Sequence, residues 1–305
     1  MKKKGFLILL LMVWMAGGLL LGCRGEERPA PKPEDKKEEI PPALNAMVDG
    51  IHSIIENIEG IEDVLETKPE DIKPPQQQQQ GGQQGGQQDQ QKGQEQSPQR
   101  STRGETQQQG GVRQISPQEQ QEMKELEKQA EVLEKWKKAK DGLKSIHEAW
   151  NEYEPKAVKD GADSRKVEDL ENSLNRLTSY VEAQDRNGVL HEANSLILAL
   201  SGFLELYKGN PDGVLGKLEY AARQSYMDAK AGEWMQAAEK AKESSDQVGS
   251  LRQITDVEKK QESLVERLTL SLEDLEKAIA EENLPLLKIK RDIVIKNIET
   301  LKEEL

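Results

Sequence analysis

The stretch VEDLENSLNRLTSYV, residues 167–181, places Val167, Leu170, Leu174, Leu177 and Val181 at strictly alternating steps of three and four. A helix stacks residues at that spacing along one stripe, whereas a half-buried strand needs an apolar residue at every second position. Charged and polar residues fill most of the positions between, so one face is built for a core and the other for water. The same rhythm recurs on both sides. Upstream, a helix over 116–154 carries Leu126, Leu133, Trp136, Leu143, Ile146, Trp150 and Tyr153 on one side. Downstream come Ala193, Leu196, Leu200, Phe203 and Tyr207, then Leu215, Leu218, Ala222, Ser225 and Ala229. Trp234, Ala237, Ala241 and Val248 follow, then Val265, Leu268, Leu272, Leu275 and Ile279, and a last helix over Ile289–Leu305. No segment has strand periodicity. The predicted class is all-α: an elongated antiparallel helical bundle over residues 116–305.

Punctuation between the stripes sets the expected boundaries. Ser116, Pro117 and Glu119 form a capping-box start, and Pro155 with the KDGAD turn is expected to end that helix. The DRNG stretch, 185–188, is read as a closing turn, Asn210 and Pro211 as a cap, and Thr255 to Glu258 as a second capping box. EENLP, 281–285, is expected to end the helix before the last one. A constant offset of 98 residues also links the two halves. Trp136 falls on Trp234, Ala139 on Ala237, Glu168 on Glu266, Leu170 on Leu268 and Ser173 on Ser271. Any two heptad bundles align their leucines, but the Trp pair and the non-core Glu and Ser matches favour a duplication. The expected form is two tandem three-helix units joined by one helix.

Working toward the N-terminus, residues 43–66 carry Leu44, Met47, Ile51, Ile54, Ile58, Ile61 and Leu65 at the same alternation. This amphipathic helix cannot bury its stripe alone, so it must dock on the main domain, on another copy or on a membrane surface. Gly50 and Gly60 weaken it. Residues 67–115 are dominated by Gln and Gly and are predicted to be a disordered linker, since too little apolar surface exists to offset ordering entropy. Residues 23–42 form a charged, Pro-containing stalk. Before them Met1 is followed by three lysines and then by a chargeless apolar run, Gly5 to Leu21, the pattern of a signal peptide over residues 1–22.

The chain's single cysteine, Cys23, stands directly behind that run. Leu20-Leu21-Gly22-Cys23 resembles the lipobox of bacterial lipoprotein precursors. The resemblance implies a diacylglyceryl group on the Cys23 thiol and cleavage just before it. Palmitate-type acyl chains would then anchor the protein to the extracytoplasmic face of the cell membrane. Two or more chains anchor stably where one is marginal.

The remaining residues offer little catalytic chemistry. HEAWN at His147 and HEANS at His191 begin like zinc-binding helices, but Asn151 and Ser195 stand where the second histidine should be. No haem motif, phosphate loop or nucleophile elbow occurs, so no metal or cofactor is expected. A net charge of −13 without an aromatic-studded basic stripe argues against nucleic acid. Trp136, Trp150 and Trp234, with Asn194 ahead of an apolar run, are the candidates for a ligand cleft between the units, although helical spacing makes the tryptophans core residues more often than not. The expected function is a membrane-anchored, non-enzymatic surface lipoprotein whose helical bundle engages an envelope protein or wall polymer, with self-association through residues 43–66 as a further partner mode. The alternative is an extracytoplasmic receptor for a small ligand or metal held between the bundle units.

Overall fold

A computed structural model describes residues 38–66, 116–254 and 259–305. The signal peptide, Cys23, most of the stalk, the Gln/Gly-rich segment 67–115 and the capping box at Thr255–Glu258 lie outside the described residues. The described chain is helical, without a strand: α1 (Pro42–Glu66), α2 (Pro117–Lys159), α3 (Ser164–Ala183), α4 (Arg186–Leu204), α5 (Asp212–Lys230), α6 (Trp234–Ile254), α7 (Lys259–Ala280) and α8 (Leu284–Glu304).

Two apolar cores organise these helices. One gathers the inner faces of α1 to α4, the other those of α5 to α8. Within each group the first helix packs on the second, the second on the third, the third on the fourth, and the fourth returns to the first. The units are therefore four-helix rather than three-helix. A three-helix face would leave one flank of its core open. In the first unit α1 closes that flank, with Leu44, Met47, Ile51, Ile54 and Ile58 fully buried. In the second unit α5 does so, and the helix expected as a joiner is part of a core. Helices α4 and α5 also pack on each other, which joins the two cores.

The backbone repeats along with the sequence. Gln184 (φ 54°) and Glu282 (φ 50°), 98 residues apart, are the two non-glycine residues with positive φ among the described residues. Each is followed by a cap: the Asp185 side chain accepts from Gly188 N, and the Asn283 side chain accepts from Leu286 N. The helices they start, α4 and α8, are thus equivalent. The first helices correspond too. Leu44, Met47, Ile51, Ile54 and Ile58 of α1 match Leu215, Leu218, Ala222, Ser225 and Ala229 of α5, each 171 positions on, and every member is buried.

Several boundaries differ from expectation for identifiable reasons. Ser116 forms the capping box as predicted: its Oγ accepts from Glu119 N at 3.2 Å and Glu119 Oε2 accepts from Ser116 N at 2.8 Å. Pro155, however, lies inside α2, which runs on to Lys159 before Gly161 turns at φ 95°. Proline removes one helical donor and need not break a helix one turn from its end. DRNG is not a loop but the cap and first turn of α4. Likewise α8 begins at Leu284, with Pro285 in a first turn where its missing N–H costs nothing. At the start of α5 Asn210 Oδ1 accepts from Asp212 N, while Pro211 itself contributes no side-chain cap.

Two further departures concern packing. Leu126 and Leu133, expected on the buried side of the long helix, are exposed along with Met123. The buried stripe of α1 ends at Ile61, so Met123 and Leu126 run past their partner, whereas Leu133 lies alongside α1 but on the outer face of α2. Gly50, expected only to weaken α1, sits where α1 and α2 approach closely. A Cβ there would meet Ile146 Cγ1 at 2.6 Å, and one at Gly142 would meet Ile54 Cγ1 at 3.3 Å. Among the described residues no helix is long and apolar enough to cross a membrane.

Candidate functional site

The seam between the two cores is polar, with the polar face of α1 on one side and α5 and α8 on the other. His52 Nε2 lies 2.9 Å from Glu219 Oε2, and Arg223 Nε donates to Glu219 Oε1 at 2.9 Å. Glu59 Oε1 accepts from Arg291 Nη1 at 2.9 Å and from Arg223 Nη1 at 3.4 Å. Further out, Lys288 Nζ donates to Asp63 Oδ1 at 3.3 Å and Lys230 to Glu62 at 2.5 Å. Thus α1, which belongs to the first core, is pinned by charge to α5 and α8 of the second.

The seam holds a cleft, partly open to solvent, of about 430 Å³, within the usual range for small-molecule sites. Arg223, Arg291 and Asn194 line it together with Ile55, Leu190 and Tyr226. Arg291 is fixed from three sides. Its Nε and Nη2 donate to Asp292 Oδ1, its Nη1 meets Glu59, and its guanidinium lies 4.5 Å from the centre of the Tyr226 ring. Asn194, 1% exposed, directs Nδ2 to Tyr220 O and Gln224 Oε1, both at 3.2 Å. Those two acceptors fix which end of the amide is nitrogen. Oδ1 is left buried without a partner among the described residues, at a cost of about 1–3 kcal/mol to the fold.

Electrostatics at the seam favour the charged network. Burial alone would raise the Glu219 carboxyl, but the hydrogen bond to His52 and the charge of Arg223 outweigh it and hold the group at about 2. Elsewhere the titratable groups have structural partners. His147 Nε2 lies 2.9 Å from Thr178 Oγ1, and burial pushes its pKa down. The Tyr207 hydroxyl lies 2.6 Å from Asp160 Oδ2 and 3.3 Å from the Tyr153 hydroxyl; burial and the Asp160 carboxylate push it well up.

Of the ligand-cleft candidates read from the sequence, Asn194 lines the seam cavity and the tryptophans do not; His191, one turn before Asn194, lines it too. Trp136 and Trp150 are in the first core, where Trp150 meets Tyr153 and Phe203 edge to face at 6.2 and 5.8 Å. Trp234 packs against the second core, so the three tryptophans do not converge on one cleft. Leu20, Leu21, Gly22 and Cys23 lie outside the described residues. Sequence reasoning missed Glu59, Glu219, Arg223 and Arg291. Their signal was present: Glu219 and Arg223 are an i,i+4 pair beside the apolar stripe of α5, and Arg291, in the charged stretch Lys288–Asp292, takes the stripe position of α8 between Leu287 and Val294.

Residues 112–205 match the profile of DUF4363, a domain family of unknown function. The match covers α2, α3 and α4 and leaves out α1, the helix that completes their core. Neither the curated proteins nor the solved structures contain a match to this chain.

Proposed function

We propose that the chain is a bacterial lipoprotein, anchored through Cys23 at the extracytoplasmic face of the membrane, that presents a non-enzymatic helical binding module. The observation that carries the anchor is the placement of Leu-Leu-Gly-Cys at the end of the apolar run, 20–23. The docking of α1 supports a shorter tether than a Gln-rich leash would give. Glu38 N already donates to Lys208 O at 2.9 Å, and Ile40 is buried. Only residues 24–37 separate Cys23 from that contact, a reach of at most about 50 Å. Segment 67–115 is then an insertion between α1 and α2, not the link to the membrane. Confinement this close to the bilayer raises the effective concentration toward an envelope protein or wall polymer, so modest affinity suffices. Engagement of the buried titratable groups by structural partners supports the non-enzymatic part.

The test is metabolic labelling with a fatty acid followed by fractionation. The full chain should carry label and sediment with membranes, and Cys23→Ala should lose the label and retain its signal peptide. Labelling that survives in Cys23→Ala, or an unlabelled soluble wild type, defeats the anchor. A second reading is favoured by the seam cavity with its orphaned Asn194 acceptor: the module is a receptor for a small ligand held between its two units.

A further inference from the structure

Resting on that receptor reading, we infer that the seam cavity binds a small oxyanion, carboxylate or phosphate, that also carries a hydroxyl or amine. Two guanidinium groups from the second unit converge on the cavity, and they are its fixed part. The Arg223 and Arg291 side chains are 12% and 6% exposed. Both meet a single oxygen of Glu59, one of them at 3.4 Å. Guanidinium and oxyanion pair best as a two-pronged fork, and neither contact with Glu59 has that form. Glu59, with 31% of its side chain exposed, is the movable partner on the rim of α1. It occupies the place an incoming oxyanion would take, and it can turn toward water when displaced.

The second requirement comes from the first unit. Asn194 Oδ1 can only accept, its amide nitrogen is already bound to two acceptors, and no donor among the described residues reaches it. Oδ1 is out of reach of water as it stands, so a ligand must seat deeply enough to uncover it. A hydroxyl or amine on that ligand then satisfies it, and a bare anion does not. Ile55 and Leu190 line the same cavity and offer apolar contact to a short carbon chain between the two polar ends. The ligand would thus touch α4 of one unit and α5 and α8 of the other. The site needs both units.

The experiment is calorimetric titration of the full chain with two matched pairs, glycerol 3-phosphate against propyl phosphate and malate against succinate. Glycerol and choline serve as neutral and cationic arms. The expected result is that at least one hydroxylated anion binds about tenfold or more tightly than its hydroxyl-free partner. Asn194→Ala should abolish that difference, and Glu59→Gln should tighten binding several-fold by removing the competing carboxylate. Which pair responds separates the phosphate from the carboxylate source. Equal affinity within both pairs, or weaker anion binding by Glu59→Gln in a folded variant, overturns the inference. Binding of glycerol or choline alone, abolished by Asn194→Ala, would overturn the oxyanion class and leave the receptor standing. No binding in any arm would overturn both.

Discussion

The α1–α2 hairpin and the α5–α6 hairpin occupy equivalent places in the two units, yet the chain joins them very differently. Between α5 and α6 it turns within Ala231–Glu233. Between α1 and α2 it runs through residues 67–115 and then through the exposed first turns of α2. The two alignments quantify the difference: first helices match at an offset of 171 and later helices at 98, so the first unit holds 73 extra residues at this one point. Their cores differ in step. Where α1 places Ile51, Ile54 and Ile58, α5 places Ala222, Ser225 and Ala229. Closing a loop of about fifty residues rather than a few costs only about 2 kcal/mol, because the entropy grows with the logarithm of length. Burying isoleucine in place of alanine or serine offsets that several times over. A long insertion is tolerated where the helices it separates are held by large side chains.

The sharpest way to break this comparison is to exchange core size. Ile54→Ala should destabilise the protein by about 2–5 kcal/mol, since it removes three carbons from a fully buried site. Ser225→Ala, at the matching position, should change stability by less than about 1 kcal/mol, because the hydroxyl only bonds Ala221 O within its own helix. Urea unfolding followed by tryptophan fluorescence measures both. Equal effects would mean that α1 and α5 do not play equivalent, unequally loaded roles.

Acid should attack the seam that holds the units together. The Glu219 carboxyl is depressed in the folded state, to about 2 from an ordinary 4.5. Its contribution is therefore complete above about 4.5 and is lost as pH falls toward 2, a loss of roughly 3 kcal/mol. Glu219→Gln should start less stable at neutral pH and show a flatter stability profile across that window. A wild type and variant that lose stability in parallel between those pH values would remove Glu219 from the seam's support.

How much of this was legible before any coordinates is itself physical. The three-four stripes revealed the helices and most of both cores because amphipathic period depends only on local geometry. They could not reveal that α1 closes the first core, since a stripe shows that a face is buried but not against what. DRNG was misread because Asp, Asn and Gly serve a loop and a capped first turn alike, and only the Asp185 bond to Gly188 N distinguishes them. Asn194 stood out as a polar residue ahead of an apolar run. Glu219 and Arg291 did not, because a charge beside a stripe resembles a solvated boundary until a second helix covers it. The repeat was visible at 98 residues, but its first helix was hidden by the 73 extra residues, which shift that correspondence to 171.

The gentlest test removes the insertion itself. Gly60 of α1 lies against Lys135 of α2, and Val64 shares a surface groove with Glu127 and Glu131, so the end of α1 is already beside the middle of α2. A splice that joins Glu66 to Lys128 through a short Gly-rich turn would recreate the tight connection of α5 and α6. Because loop entropy falls only slowly with length, the shortened chain should keep its stability or gain about 1–2 kcal/mol. Its fluorescence should also stay unchanged, as Trp136 and Trp150 are buried away from the splice. Loss of the folded first unit on excision would show that segment 67–127 supplies packing that α1 to α4 lack, and the equivalence of the two hairpins would not survive it.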